Sequence, residues 1–175
     1  MSEGGTHVAV ARTRAAVAGG GGAARVEPSL GAIHAALAEV PDPELPVLSV
    51  VDLGIIHAVT VGETGIRVEI LPTFIGCPAL DVIRTSIADR LAAFGRPVDV
   101  QPTFAVPWTS DRISAAGRRA LTSVGIAPPA ALGATACPWC ASSNVVMDSA
   151  FGPTQCRTLF YCRDCRQPFE ALKSV

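Results

Sequence analysis

Lysine is nearly absent from this chain: one stands against 13 arginines. Basic and acidic side chains almost cancel, with Lys+Arg 14, Asp+Glu 15 and a formal net charge of −1. Proteins that bind nucleic acid by neutralising phosphates carry a basic excess, so that class is excluded. Aromatics are scarce, with Phe 6, Trp 2 and Tyr 1. Hydrophobic residues make up 49%, but 28 of them are alanines, so any core is built mainly from Val, Leu and Ile. No apolar run approaches the roughly 18 residues of a membrane span, and no membrane association is expected. There is no Ser-His-Asp set, no phosphate loop and no Rossmann fingerprint. His34 and His57 lie in apolar stretches and are given no catalytic role, and no other residue is assigned one.

What the chain has instead is cysteine in an uneven distribution. Of its 175 residues, six are cysteines. Cys77 stands alone, while Cys137, Cys140, Cys156, Cys162 and Cys165 crowd into the C-terminal segment. The length suits one domain, or a small one plus a smaller one, and the cysteines favour the second. Residues 1–28 hold a Gly19–Gly22 run and no hydrophobic period, and they read as a disordered tail. Arg12, Arg14 and Arg25 raise a targeting peptide as the alternative. No apolar h-region follows a basic start, so secretion is not expected and a cytoplasmic location is.

Residues 29–126 read as an α/β (α+β) unit. Ser29 caps a helix with Leu30, Ile33, Leu37 and Val40 at helical spacing, and Pro41, Pro43 and Pro46 prevent its continuation. Residues 55–61 and 66–71 read as two strands joined by a turn over 62–65. In the second, Ile66, Val68 and Ile70 alternate with Arg67 and Glu69, which predicts one buried and one wet face. Leu80, Ile83, Ile87, Leu91 and Phe94 form the stripe of an amphipathic helix from Pro78 to Phe94, stopped by Gly95. Val98 and Val100, with Phe104 as an extension, give a third strand. A last helix after Ser110 carries Ile113, Ala116, Leu121 and Val124 and ends at Gly125. The order α-β-β-α-β-α predicts a small mixed sheet with helices packed on it.

Residues 127–136 read as a linker, stiffened by Pro128-Pro129 and loosened by Gly133. Residues 137–175 then hold two CxxC units, Cys137–Cys140 and Cys162–Cys165. Each CxxC sets two sulfurs on one tight turn, and two such turns close a tetrahedral shell around one ion. Val145–Met147 and Thr158–Tyr161 fit the strands of the connecting hairpin, the layout of a small β zinc ribbon. The segment has too few large apolar residues to fold without such an ion. Three other readings use the same sulfurs: structural disulfides, a rubredoxin-like iron site that transfers electrons, and a thioredoxin-like redox motif. Knuckles of this kind often carry glycine after the second cysteine. Ala141 and Arg166 stand there instead, which predicts strained turns. A closed four-sulfur site has no open position for substrate, so it serves structure or docking, and chemistry is sought elsewhere.

Cys77 precedes Pro78, and proline favours the first helical position. Cys77 would then cap the amphipathic helix, its sulfur facing free N–H groups and the positive end of the helix dipole, which lowers a thiol pKa. Gly76 leaves donors accessible beside it, and Thr73 adds a hydroxyl. A buried structural thiol is the plainer alternative. Cys156 lies outside both knuckles, either as a packed side chain or as a second thiolate that meets Cys77 if the domains touch. The prolines of the 41–46 loop fix a path that displays Asp42 and Glu44, or they form an ordinary solvated turn.

The stretches DPELPVLSVVDLGII (42–56) and PTFIGCPAL (72–80) resemble the iron–sulfur cluster assembly family that includes SufT. The stretches at 106–129 and 156–173 resemble one branch of it, PaaD (also called PaaJ), of the phenylacetyl-CoA epoxidase gene set. The resemblance covers residues 29–175. It implies a reactive cysteine in the Thr73–Pro78 loop, here Cys77, and a role for the loop from Asp42 to Glu44. It implies an accessory protein that brings an iron–sulfur cluster or iron to the oxygenase and reductase components of the epoxidase. Cys77 would bind that cargo transiently, with Asp42, Glu44, Thr73 and Cys156 around it. Cys137, Cys140, Cys162 and Cys165 would hold structural zinc. An integral structural or electron-transfer subunit of the oxygenase complex is the alternative. The absence of a Glu-x-x-His pair, the ligand pattern of di-iron bundles, agrees with an accessory role. A homodimer stays open.

Overall fold

The computed structural model describes residues 27–74, 77–130 and 134–175. The tail expected over 1–28 lies outside them except at Glu27 and Pro28, and so do Gly76 and Gly133. Helix α1 spans Leu30–Leu37, and the Ser29 side chain accepts the Ala32 N–H at 3.1 Å to cap it. Strands β1 (Ile56–Gly62) and β2 (Gly65–Ile70) pair antiparallel. Helix α2 (Ala79–Ala92) crosses over to β3 (Val98–Pro102), which lies parallel to β2. The result is the expected mixed sheet, in the order β1-β2-β3. Ile66, Val68 and Ile70 of β2 are buried against Ile83, Ile87 and Leu91 of α2 and Ile33 and Leu37 of α1. The alternating and helical periods both serve this one core.

Two expectations about elements are corrected. Phe104 does not extend β3: its partner β2 ends at Ile70, the last bond across runs from the Thr103 N–H to the Ile70 carbonyl at 2.8 Å, and Phe104 is 74% exposed. The last helix does not run from Ser110. A single 3-10 turn, Ser110–Arg112, gives way to extended backbone at Ile113, and α3 spans Ala115–Ser123. Ser114 is the stronger start signal, because its hydroxyl accepts the Gly117 N–H at 2.8 Å and donates to Asp52 at 2.6 Å. Val124 falls off the buried stripe and is exposed.

The ribbon is a four-stranded sheet in the order β4-β7-β6-β5, from β4 (Ile126–Ala127), β5 (Val145–Ser149), β6 (Arg157–Cys162) and β7 (Pro168–Leu172). The hairpin strands fall where the sequence suggests. The outer two do not follow from it. Ala127, read as the first linker residue, is buried in β4 and pairs with Ala171 of β7. Arg118 of α3 reaches over to donate to the Pro129 carbonyl at 2.9 Å and secures this crossing. Leu172 of β7 is buried in the core of the α/β unit, so the two units share apolar contact. No described helix is long and apolar enough to cross a membrane.

Candidate functional site

The two knuckles meet at one end of the ribbon. The sulfurs of Cys137, Cys140, Cys162 and Cys165 all lie within 4.8 Å of one another, the only such donor group among the described residues. Cys137–Cys165 and Cys140–Cys162 are each separated by 3.6 Å. A tetrahedral ion with Zn–S bonds of about 2.3 Å sets its sulfurs about 3.8 Å apart, so the cage fits. Ala141 and Arg166 adopt φ of 60° and 59°, the left-handed conformation that glycine takes without strain. That turn lets the amide of Ser142 meet the Cys140 sulfur and that of Gln167 meet the Cys165 sulfur. The Cys162 thiol is held down to about 7, first by the Cys165 amide and then by that of Asp164, against the cost of burial. Burial pushes the Cys165 thiol up to about 12. Four thiolates so close repel one another, and a bound dication removes that conflict. Asp164 bridges the knuckles, accepting from Ser142 Oγ at 2.5 Å and Asn144 Nδ2 at 2.7 Å. These arrangements suit a structural metal ion.

The second constellation lies where the ribbon meets the α/β unit. A pocket of about 300 Å³ is lined by Glu44, Thr73, Phe74, Cys77 and Pro78 from one side, and by Phe151–Cys156 from the other. It continues into a narrow cleft, with Asp42, Leu53, Leu71 and Trp108 among its walls. The structure thus brings Glu44, Thr73, Cys77 and Cys156 to one cavity. It holds Asp42 in the wall behind them.

Cys77 is not the cap it was expected to be: Pro78, with helical φ of −67° and ψ of −21°, takes that place, α2 starts at Ala79, and Cys77 lies one residue ahead of the cap. The amides of Ala79 and Leu80 donate to its sulfur, as a helix start should. The expected lowering of the thiol pKa is nevertheless overturned. Burial raises it, the carboxylates of Glu44 and Asp42 raise it further, and the two amides do not compensate. The Cys156 thiol is raised too, by burial and then by Glu44, against a bond to Thr154 Oγ1 at 3.0 Å. Both are therefore protonated thiols at neutral pH.

Asp42 is not displayed by its loop, as the prolines suggested. It is buried, and its Oδ1 accepts the N–H groups of Glu44 at 2.9 Å and Leu45 at 2.7 Å. The carboxylate folds the loop, so Glu44 alone of the pair turns toward Cys156. Burial raises the Asp42 pKa, opposed by those two amides and by Arg157.

Arg157 is the residue the sequence reading missed. It is largely buried, donates to Glu170 Oε2 at 2.6 Å and to the Glu44 carbonyl, and so ties the ribbon to the acidic loop. Its Nε is buried without a partner among the described residues. No local motif marks such a residue, because its partners lie in another unit.

Each of the two parts matches a known family. Residues 31–101 match the family model described as iron–sulfur cluster assembly protein, and residues 126–173 match that of the PaaD zinc beta ribbon domain. A protein of Escherichia coli (strain K12) described as one of the subunits of 1,2-phenylacetyl-CoA epoxidase is 36% identical over 156 residues, covering 85% of this chain and 94% of its own. Among solved structures, a domain of unknown function from Bacillus anthracis is 28% identical with a TM-score of 0.48, over 52% of this chain and 89% of that one. A conserved hypothetical protein from Thermotoga maritima is 27% identical with a TM-score of 0.47, over 53% of this chain and 93% of its own. Identity sustained across both units shows that the chain belongs to the PaaD family of phenylacetyl-CoA epoxidase proteins, with an iron–sulfur cluster assembly domain ahead of a zinc β-ribbon.

Proposed function

We propose that this protein is an accessory protein of a phenylacetyl-CoA 1,2-epoxidase system, and that it passes iron or an iron–sulfur cluster to the oxygenase or reductase components. The Escherichia coli relative is described as belonging to that epoxidase, and the N-terminal family model as an iron–sulfur cluster assembly protein, which supports involvement in such a system. The observation that carries the reading is the convergence of Cys77, Glu44 and Thr73 with Cys156 on one pocket at the junction of the two units. Thiols and a carboxylate are the donors that iron accepts. The cargo is a substrate here, taken up and released. Cys77 is its anchor, at a helix start whose amides stabilise the thiolate once the proton leaves. Asp42 shapes the loop, Glu44 offers the carboxylate and Thr73 lines the approach.

The ribbon has the opposite character. Cys137, Cys140, Cys162 and Cys165 hold zinc as a resident ion, which supplies folding energy and no open coordination position. The same cage would accept iron, which is what an electron-transfer subunit would need. Metal content and a visible spectrum separate the two: colourless, zinc-bearing protein rejects electron transfer. Purification in fixed stoichiometry with active oxygenase would favour an integral subunit over a carrier. The direct test of delivery is a Cys77→Ser strain. Its epoxidase components should contain less iron and less cluster, and full occupancy in that strain would overturn the proposal.

A further inference from the structure

We infer that the ribbon supplies the second ligand of the cargo site: the sulfurs of Cys77 and Cys156, with a carboxylate oxygen of Glu44, take one thiophilic divalent cation between the two domains. This rests on the carrier reading above and gives its site a composition and a dependence.

The observations come from both sides of the pocket. Cys77 and Cys156 line the same cavity. The Cys156 sulfur lies 3.7 Å from Glu44 Oε2, and among the described residues this thiol is the one hydrogen-bonding partner of the Glu44 carboxylate. Glu44 also acts on Cys77, whose thiol its charge helps to keep protonated. The neighbouring charges are occupied elsewhere. Asp42 accepts two backbone amides. Arg157 is held by Glu170 and the Glu44 carbonyl, and Lys173 donates to the Gln155 carbonyl at 2.7 Å. Two thiols and a carboxylate remain facing the cavity, a set that suits ferrous iron or zinc and not calcium or magnesium.

The three donors are not gathered as the ribbon cysteines are, since among the described residues the ribbon set alone has all its donor atoms within 4.8 Å. Side-chain rotation must bring them onto the ion. An open site of three ligands is the arrangement for a cargo that leaves again, whereas a closed four-sulfur cage retains its ion. Binding is a proton-for-metal exchange. Each thiol loses its proton to solvent, both thiolates and the carboxylate bind the dication, and no electron moves.

The backbone of Cys156 is held by bonds within the ribbon. Its carbonyl accepts the Lys173 N–H at 2.9 Å, and the adjacent turn is held by Arg157 N–H to Thr154 O at 3.1 Å. The ribbon folds on its own metal, so the cargo site is complete only after the resident ion is bound. The ribbon is thereby part of the carrier site as well as a prop.

The test is an anaerobic ferrous iron titration of the zinc-loaded full chain, read by sulfur-to-iron charge-transfer absorption and by iron retained on gel filtration. Wild type should retain a single ferrous ion beyond its zinc. Cys156→Ser and Cys77→Ser should each weaken iron binding by at least about tenfold, the lower end for losing a group around a metal. Zinc content and circular dichroism check the fold; should Cys156→Ser lose zinc, Cys156→Ala is read in its place. If the Cys156 variant binds iron like wild type while Cys77→Ser does not, the ribbon ligand is wrong and the Cys77 carrier stands. If Cys77→Ser also binds like wild type, both readings fall.

Discussion

Cys156 and Glu44 lie 112 positions apart in the chain, yet the cysteine sulfur is 3.7 Å from the glutamate Oε2. A thiol beside a carboxylate resists ionisation, because its thiolate would face a like charge. Burial is the first cause of the raised pKa at both Cys77 and Cys156, and Glu44 adds to it at both. Glu44→Gln keeps the shape and removes the charge. Both thiols should ionise more readily in that variant, so alkylation by iodoacetamide at pH 8 should speed up at both positions. In wild type, labelling should stay slow at neutral pH and climb only above the ordinary thiol value of 9.0. Peptide mass spectrometry of zinc-loaded protein measures both sites at once. Equal rates in wild type and variant would show that the carboxylate is not felt.

The Asp42 carboxylate makes a different prediction, since its work is inside its own loop. Asp42→Ala leaves the Glu44 and Leu45 amides without their acceptor and should destabilise the fold by about 2 kcal/mol, as expected for unsatisfied donors. Asp42→Asn keeps an oxygen for both amides and should cost less. The pH dependence has a definite sign. The folded pKa lies above the ordinary 3.8, so between those values the folded state holds a proton that the unfolded state has lost. Stability contributed by Asp42 therefore falls as pH rises through that window. Asp42→Asn should lack this component. Urea unfolding of both proteins from pH 3.5 to 6 measures it, and parallel curves would refute the raised pKa.

The ribbon knuckles carry strain that a single atom group explains. Ala141 and Arg166 hold left-handed φ values of 60° and 59° so that the next amide can reach a cysteine sulfur. A Cβ in that conformation costs about 1 kcal/mol or somewhat more. Both side chains are exposed, so little packing is lost on removing them. Ala141→Gly and Arg166→Gly should each stabilise the metal-loaded protein by about 0.5–1 kcal/mol. Thermal unfolding at fixed zinc concentration is the measurement. A loss of stability in either variant would mean that the side chain contributes more than its Cβ costs.

Features set by local chemistry were legible in the sequence. Each CxxC is a local turn, so the four-sulfur cage follows from spacing, and the strain at Ala141 and Arg166 follows from a missing glycine. The period-two strand Gly65–Ile70 and the helix stripe of Ile83, Ile87 and Leu91 follow from burial on one face. What the sequence hid depends on contacts between distant segments. Ala127 looks like linker because its strand partner, Ala171, is 44 residues away. Arg157 carries no local signal because the carbonyl it holds belongs to Glu44. The Cys77 pKa departs from the expectation for the same reason. Its helix amides are local and visible, whereas the burial and the Glu44 charge that outweigh them arrive only with the fold.

Metal removal tests how far the ribbon supports the rest of the molecule. Leu172 of β7 belongs to the core of the α/β unit, alongside residues such as Trp108, and Cys156 packs at its edge. Chelation should melt β4–β7, since their own apolar cluster is little more than Ala127, Phe169, Ala171 and two of the metal-binding cysteines. The sheet of β1–β3 keeps Ile33, Leu37, Val68, Ile70 and Ile87 and should stay folded with reduced stability. Hydrogen exchange should show lost protection at Arg157–Cys162 and Pro168–Leu172, and retained protection at Gly65–Ile70 and Ala79–Ala92. Alkylation of Cys77 should rise in the same sample, because its pocket loses the Cys156 wall. Leu172→Ala, with metal in place, isolates the packing component. It should lower stability by about 2–5 kcal/mol, the range for deleting a buried leucine, while the zinc content is unchanged. Retained protection across the ribbon after chelation would show instead that its sheet folds without the ion.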